Sequence, residues 1–302
     1  INFYDDQLDL NDMGYLILND RLMFNGRTQF KKTRFSPGSS LRSRLFEVGY
    51  GSKFNADTVR ESSNFALKVE ANFIDLSEIK TEIFYRSTGR NTRITRGSLL
   101  APYVDMPKGV GGYIEFTGPR KPKYIYSLRF ERGKGSEHSP GISWKNSSRA
   151  FIKFMPRDNL SFNMSYNHAD EKNWLNWLDD NLLATYKRKQ RTSVFELEWF
   201  KNNKHELRIK AQLVAFTGRD PTPYIGDKKG KLTQTDIPLS PITISELAFQ
   251  IRYRYEIMPL SYLYLVYSKG GRVSLDDEED NLSNLYRRPW NSPEKENFTV
   301  KL

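Results

Sequence analysis

One segment near the C-terminus, residues 246–255, shows the pattern that dominates the chain. Leu247, Phe249, Ile251, Tyr253 and Tyr255 fall at every second position, and most of the positions between them are polar or charged. Side chains alternate between two faces along a β-strand, so this segment predicts a strand with one apolar and one charged face. A helix would distribute both sets around its circumference.

We predict about fourteen segments of the chain to be strands, and several of them repeat this alternation. The dipeptide Asn25-Gly26 predicts a two-residue hairpin between the first two. No segment is apolar on both faces, as a buried strand of an α/β protein would be, and helical periodicity is almost absent. The fold class is therefore predicted to be all-β and antiparallel. The predicted strands are residues 13–24, 28–35, 41–54, 64–74, 78–86, 110–117, 123–132, 148–155, 160–166, 192–200, 205–216, 244–257, 260–267 and 296–302.

Short turns alternate with long polar loops between these strands. The short turns are residues 75–77, 118–122, 156–159, 201–204 and 258–259, and the long loops are 87–109, 133–147, 167–191, 217–243 and 268–295. This alternation places all long loops at one end, as in outer-membrane barrels, whose strands need roughly 9–11 residues to cross a bilayer. We predict that residues 1–302 form one outer-membrane β-barrel domain of about fourteen strands. A soluble sandwich or jelly roll with one core-facing side is the alternative.

The composition of the chain excludes several classes of protein and site. The chain has a formal net charge of +11 and no cysteine, and no run of eighteen apolar residues occurs in it. Transmembrane helices, disulfides, thiolate metal sites and cysteine nucleophiles are therefore excluded. The basic residues alternate singly with acidic and aromatic residues along the strands, whereas a nucleic-acid site more often has them clustered. We expect no nucleic-acid partner, and the interleaving favours a polar lumen or contact with anionic lipid.

Three short motifs resemble parts of a known protein family. Residues 10–15, Leu-Asn-Asp-Met-Gly-Tyr, followed by Asn19-Asp20, resemble the opening of the C-terminal β-barrel region in a family of uncharacterised bacterial outer-membrane proteins. Residues 267–271, Tyr-Ser-Lys-Gly-Gly, and 297–302, Asn-Phe-Thr-Val-Lys-Leu, resemble the end of that region. Members of the family usually carry a module similar to family-nine carbohydrate-binding domains before the barrel.

The resemblance implies a location in the outer membrane of a Gram-negative bacterium and a barrel architecture, and it implies no chemistry. The chain departs from the family because the carbohydrate-binding-like module, a signal peptide and a terminal aromatic residue are missing. We expect it to be a partial chain with further strands upstream. The expected partners are outer-membrane lipid and lipopolysaccharide, with glycans or a partner envelope protein as further candidates.

The charged face of the predicted strands is the main candidate for function. If the apolar face contacts lipid, the charged face lines the lumen, where charge selects solutes by sign and size. The same ladder of charges equally fits a closed, salt-bridged interior. Two functions therefore stay open. One is a channel or docking role in glycan uptake, and the other is a non-transporting anchor for a periplasmic carbohydrate-binding module or a partner protein. The lumen candidates are Lys68, Glu70, Lys80, Glu82, Arg129, Glu131, Glu196, Glu198, Arg208, Lys210, Arg252 and Arg254.

Three further features are candidates for chemistry. Residues 173–183 predict an amphipathic helix inside a long loop, and its Trp174 and Trp177 are candidates for ligand contact. The acidic run Asp276, Asp277, Glu278, Glu279 and Asp280 suits Ca²⁺ or Mg²⁺, although it lacks the ligand spacing of an EF-hand; we expect no other cofactor. His168, near Asp170 and Glu171, is the only candidate general base for an outer-membrane hydrolase, and no sequence feature pairs a nucleophile with it, so we expect no enzyme.

Overall fold

The computed structural model describes residues 2–4, 21–54, 60–135, 143–276 and 281–302. These residues form one large antiparallel sheet in which fourteen strands follow one another in a single path, mostly in chain order. A short strand, β14, pairs with β13 beside this path, and β6 and β7 form a separate two-stranded ribbon. The prediction of an all-β, antiparallel fold with about fourteen strands is confirmed.

Nearly all described elements are strands, which follow one another along the chain. The strands are β1 (Asn2–Tyr4), β2 (Arg21–Lys32), β3 (Leu41–Phe54), β4 (Arg60–Phe73), β5 (Glu78–Arg86), β6 (Gly89–Asn91), β7 (Val104–Met106), β8 (Gly109–Thr117), β9 (Tyr124–Lys134), β10 (Trp144–Arg157), β11 (Leu160–Asp179), β12 (Leu182–Asn202), β13 (His205–Gly226), β14 (Leu232–Gln234), β15 (Ile242–Met258), β16 (Ser261–Leu275) and β17 (Lys295–Lys301). The single described helix, α1, spans Leu282–Asn291 and lies between β16 and β17.

Short turns join the strands at one end of the sheet, as the sequence predicts. The connections there are residues 33–40, 74–77, 118–123, 158–159, 203–204 and 259–260. In the second of them, Ser77 donates hydrogen bonds from its backbone N and its Oγ to Oδ1 of Asp75, at 3.0 and 2.6 Å. These bonds stabilise the ionised carboxylate and hold the pKa of Asp75 below its usual value.

The predicted hairpin at Asn25-Gly26 is wrong. Strand β2 runs through both residues without a break, and Gly26 lies opposite Tyr50 of β3 in a register that extends from Leu22 to Lys32. Continuous pairing with β3 therefore overrides the local turn preference of the dipeptide. Residues 13–20, which belong to the first predicted strand, lie outside the described residues.

The long loop and amphipathic helix predicted between residues 167 and 191 are also wrong. β11 and β12 instead pair as one tall hairpin, joined by the two residues Asp180 and Asn181. The register shifts between Glu171 and Trp174, which interrupts the two-residue alternation. An interrupted strand pattern with apolar residues on both faces imitates helical spacing, and this explains the incorrect prediction.

Three of the other predicted long loops, 87–109, 217–243 and 268–295, hold elements that the sequence does not predict. The segment between β5 and β8 contains the ribbon β6–β7, and the segment between β13 and β15 contains β14. Helix α1 occupies much of the segment between β16 and β17, and its N-terminus is capped by Asn281, whose Oδ1 accepts a 3.0 Å hydrogen bond from the N–H of Ser283. None of the described helices is long and apolar enough to span a membrane.

Buried apolar side chains are confined to two small places within the described residues. At the long-loop end, Val104 of β7 packs on Leu175 and Leu183 of the tall hairpin. Beside α1, the buried Leu285 faces β15, where Leu247 is also buried and Ser245 donates from Oγ to the carbonyl oxygen of Leu285. The remaining apolar face of the large sheet is mostly uncovered, unlike the inner faces of a sandwich.

A candidate polar lining

The predicted charged residues all lie on one face of the large sheet. Strand pairing aligns unlike charges between neighbours: Lys68 lies opposite Glu82, Glu70 opposite Lys80, and Glu196 opposite Lys210. Opposite charges in directly paired positions stabilise a sheet. The pairing is not of unlike charges throughout, because Arg129 lies opposite Arg149 and Arg208 lies opposite Arg252. We call this surface the polar face and the opposite surface the apolar face. The structure therefore brings the sequence-predicted lining residues together, and their role in a lumen stays a prediction.

Exposure to solvent on the two faces is the reverse of that in a soluble protein. On the apolar face, Ile83 is 61% exposed and Phe130 is 58% exposed. On the polar face, the side chains of Glu70 and Arg129 are only 20% and 30% exposed, although both are flexible and charged. The same contrast recurs in strands β4, β5 and β9, where large apolar residues are exposed and the charged residues beside them are partly covered.

Arg129 is the centre of one ion-paired group on the polar face. Its Nη1 lies 3.3 Å from Oε2 of Glu115, and its Nη2 lies 3.1 Å from Oε2 of Glu131. The guanidinium also stacks on Tyr113, with its central carbon 3.6 Å from the ring centroid. Planar guanidinium groups suit both interactions, so Arg129 is held in place from three sides.

A second ion-paired group surrounds Glu206 of β13, near the short-turn end. The carboxylate is 3% exposed and contacts three arginines. Oε1 contacts Arg208 and lies 3.6 Å from Nη2 of Arg252, while Oε2 lies 2.9 Å from Nη2 of Arg254. A carboxylate that is this deeply buried requires positively charged partners. Because three arginines surround one glutamate, these four residues together carry a net positive charge.

A cavity of about 480 Å³ lies on the polar face in its long-loop half. Its walls come from β9, β10, β11 and β12, and its charged lining is mostly basic, with Arg129, Lys145, Arg149 and Arg188 against Glu131. Arg149 donates from Nε to Oδ1 of Asn167 at 2.7 Å, whereas Arg188 lies 3.4 Å from the buried Glu171. Arg129, Glu131 and Arg149 lie in predicted strands, whereas Lys145 and Arg188 fall in the predicted long loops 133–147 and 167–191. Only the pairing of four strands brings them together.

The two candidate tryptophans lie on β11 and are engaged in packing. Trp174 contacts Phe216 edge to face, with ring centroids 5.2 Å apart, and the guanidinium of Arg188 lies 5.4 Å from its ring. Trp177 donates from Nε1 to the carbonyl oxygen of Asp180 at 2.8 Å, and Arg96 covers its ring at 4.6 Å. Trp174 therefore contacts Arg188, which lines the cavity, but Trp174 itself is not part of the lining. Trp177 packs against the apolar cluster at the long-loop end.

The other candidates receive no support as sites from the described residues. His168 lies opposite Ser148 in the β10–β11 register, but no hydrogen bond joins them, and Nδ1 of His168 has no partner in the described part of the chain. In the acidic run, Asp276 follows β16, and residues 277–280 lie outside the described residues. Within the described ranges, no group of three or more acidic or histidine residues is arranged to hold a metal ion. Metal binding by the run stays a prediction.

Glu115, Glu171 and Glu206 are important members of the polar face that sequence reasoning did not select. Glu115 and Glu206 lie at charged positions of predicted strands, whereas Glu171 falls in the predicted long loop 167–191. Their importance comes from long-range pairing with arginines on neighbouring strands, which alternation alone does not specify.

Together, the fold and this face define an all-β protein built on a single antiparallel sheet, with one exposed apolar face and one ion-paired polar face. The chain belongs to the family described as a domain of unknown function, DUF5916, whose profile matches residues 1–302. No curated protein and no solved structure matches the chain. The envelope location and the carbohydrate-binding-like module that the motif resemblance implies stay predictions.

Proposed function

We propose that this chain is an outer-membrane β-barrel whose polar face lines a passage or docking surface for solutes, with glycans as the candidate cargo. The reversed exposure of the two faces is the observation that carries the proposal. Uncovered phenylalanine, isoleucine and leucine side chains over most of one face of a sheet are unfavourable in water and favourable in hydrocarbon. A membrane barrel has an apolar exterior and a polar interior along every strand.

The connections support the same proposal. Outer-membrane barrels have short turns on the periplasmic side and longer extracellular connections. Here the short turns share one end, and the tall hairpin β11–β12, α1 and the ribbon β6–β7 share the other. We therefore assign the short-turn end to the periplasm and the long-loop end to the outside.

Closure of the barrel is part of the proposal. Within the described residues, β17 pairs only with β16, and β1 pairs only with β2, so each has one free edge. An unpaired strand edge in lipid leaves backbone groups unsatisfied, at several kcal/mol each. Strand β17 continues the alternation, with Phe298 and Val300 on the apolar parity, which suits an element of the barrel wall. We expect the two ends of the sheet to meet, directly or through further strands.

The proposal is tested by expressing the chain with a signal peptide in a Gram-negative host. We expect it in the detergent-extracted outer-membrane fraction, with an electrophoretic mobility that changes on heating. Recovery as a monodisperse protein without detergent would contradict the proposal.

A non-transporting anchor is the second candidate, favoured by the ion pairs on the polar face. The groups around Arg129 and Glu206 hold charged side chains in fixed contacts, as in an interior filled by its own residues. Such a barrel would hold a periplasmic carbohydrate-binding module or a partner protein in the membrane. Conductance across a planar bilayer distinguishes the candidates: discrete ion-selective steps favour a passage, and an unbroken seal favours the anchor.

A further inference from the structure

We propose that the basic cavity on the polar face is a binding site for an acidic saccharide. The proposal deepens the proposed function, and it rests on that function only in requiring that solutes reach the polar face. The cavity is lined by Arg129, Lys145, Ser147, Arg149, Asn167 and Gln190, among others, and its volume of about 480 Å³ lies in the range of small-molecule sites, about 300–1,000 Å³.

Two of its cations are available to an anionic ligand. Arg129 is held by Glu115 and Glu131, and Arg188 is held by Glu171. Among the described residues, Lys145 and Arg149 have no carboxylate within ion-pair distance, and Arg149 is oriented by its hydrogen bond to the amide oxygen of Asn167. Glu171 lies opposite Lys145 in the β10–β11 register, but its carboxylate is ion-paired with Arg188. The cavity therefore presents a positioned guanidinium and an ammonium that have no ion-pair partner of their own among the described residues.

The spacing of these cations favours an extended ligand over a small inorganic ion. Lys145 and Arg149 are four residues apart on β10, so their backbones are separated by about 13 Å. Ser147 lies between them on the same face, and β11 and β12 add Asn167, Gln190 and Thr192. A row of hydroxyl and amide groups between two cations matches a ligand with several hydroxyl groups and a carboxylate, which is the chemistry of a sugar acid.

Calorimetric titration of the purified full chain in detergent tests the site. The probes are a digalacturonate, a neutral disaccharide and inorganic sulfate. We expect the digalacturonate to bind at least tenfold more tightly than either control. Arg149→Gln and Lys145→Gln are each expected to weaken its binding by roughly tenfold or more, because each removes a charge-assisted hydrogen bond.

Lys153→Gln is the matched control, because Lys153 lies on the same face of β10 but outside the cavity lining. We expect it to bind digalacturonate as the unaltered chain does, and heat-modifiable mobility identifies any variant that fails to fold. Equal binding of the neutral disaccharide or of sulfate would overturn the assignment, as would an equal loss in Lys153→Gln. The titration does not depend on insertion into a membrane, so the two proposals can fail separately. If the chain inserts into the outer membrane but does not bind digalacturonate, only the saccharide site is overturned. If the chain binds digalacturonate but does not insert, only the proposed barrel is overturned.

Discussion

Glu206 has the densest arrangement of charge around a single residue on the polar face. Its carboxylate is almost completely withdrawn from solvent and lies among Arg208, Arg252 and Arg254. A buried anion of this kind is stable only while its partners remain, and its partners repel one another once it is removed. The pairing of β13 with β15 brings the four side chains together, so their contacts depend on the observed register of these two strands.

Replacing Glu206 with glutamine should therefore destabilise the protein markedly. We expect Glu206→Gln to lower the free energy of unfolding by about 3–5 kcal/mol, since three guanidinium groups lose their common counter-charge in a buried position. Glu198→Gln is the control, because Glu198 is more exposed and lies 3.7 Å from Arg208; we expect less than about 1 kcal/mol there. Urea-induced unfolding in detergent measures both. Equal effects would show that burial of Glu206 contributes nothing.

At the scale of elements, helix α1 shows why the apolar face is not uniform. The helix covers part of β13, β15 and β16 at the long-loop end, with Leu285 inward and Trp290 against Phe249 at a ring-centroid distance of 5.3 Å. Trp290 is itself 43% exposed, and Arg287 beside it is exposed. Tryptophan and arginine on an amphipathic helix suit the boundary between hydrocarbon and water, so we expect α1 to lie at the outer membrane surface.

Docking of α1 should depend on Leu285. Leu285→Ala removes a fully buried side chain and should weaken the attachment of the helix by about 2–5 kcal/mol. Hydrogen exchange of the amides in residues 282–291 should then accelerate while exchange in β4 and β5 stays unchanged. Ser283→Ala is the control, since only the backbone N–H of Ser283 takes part in the cap. Unchanged exchange in Leu285→Ala would contradict this attachment.

Sequence alone was informative about elements with an uninterrupted alternation and misleading elsewhere. The segment 246–255 forms the middle of β15, and the residues of its apolar parity lie together on the apolar face. The tall hairpin was missed because its register shift near Trp174 breaks the two-residue period, and α1 was missed because Pro289 lies inside it. The ion-paired groups could be placed on a face by parity, but their partners depend on pairing between strands distant in sequence.

For the whole molecule, the central question is what contacts the apolar face. Ile83→Arg places a charge at a well-exposed position of this face, and the neighbouring residue Glu82 lies on the polar face. In a lipid-facing position near mid-depth this substitution costs about 2–4 kcal/mol and should prevent assembly in the outer membrane. The neighbouring Glu82→Gln should assemble normally. Both variants are scored by the heat-modifiable fraction in the outer membrane, and normal assembly of Ile83→Arg would count against lipid contact.

The absence of cysteine makes one direct measurement possible. Ile83→Cys and Glu82→Cys can each carry a single nitroxide label in protein reconstituted into lipid bilayers. Electron paramagnetic resonance then measures how often the label collides with two relaxing agents. Oxygen concentrates in hydrocarbon, and a nickel complex stays in water. The proposed barrel predicts that the label at position 83 is relaxed mainly by oxygen and the label at position 82 mainly by nickel. Nickel dominating at position 83, or the same relaxation at both positions, would contradict a lipid-facing apolar surface.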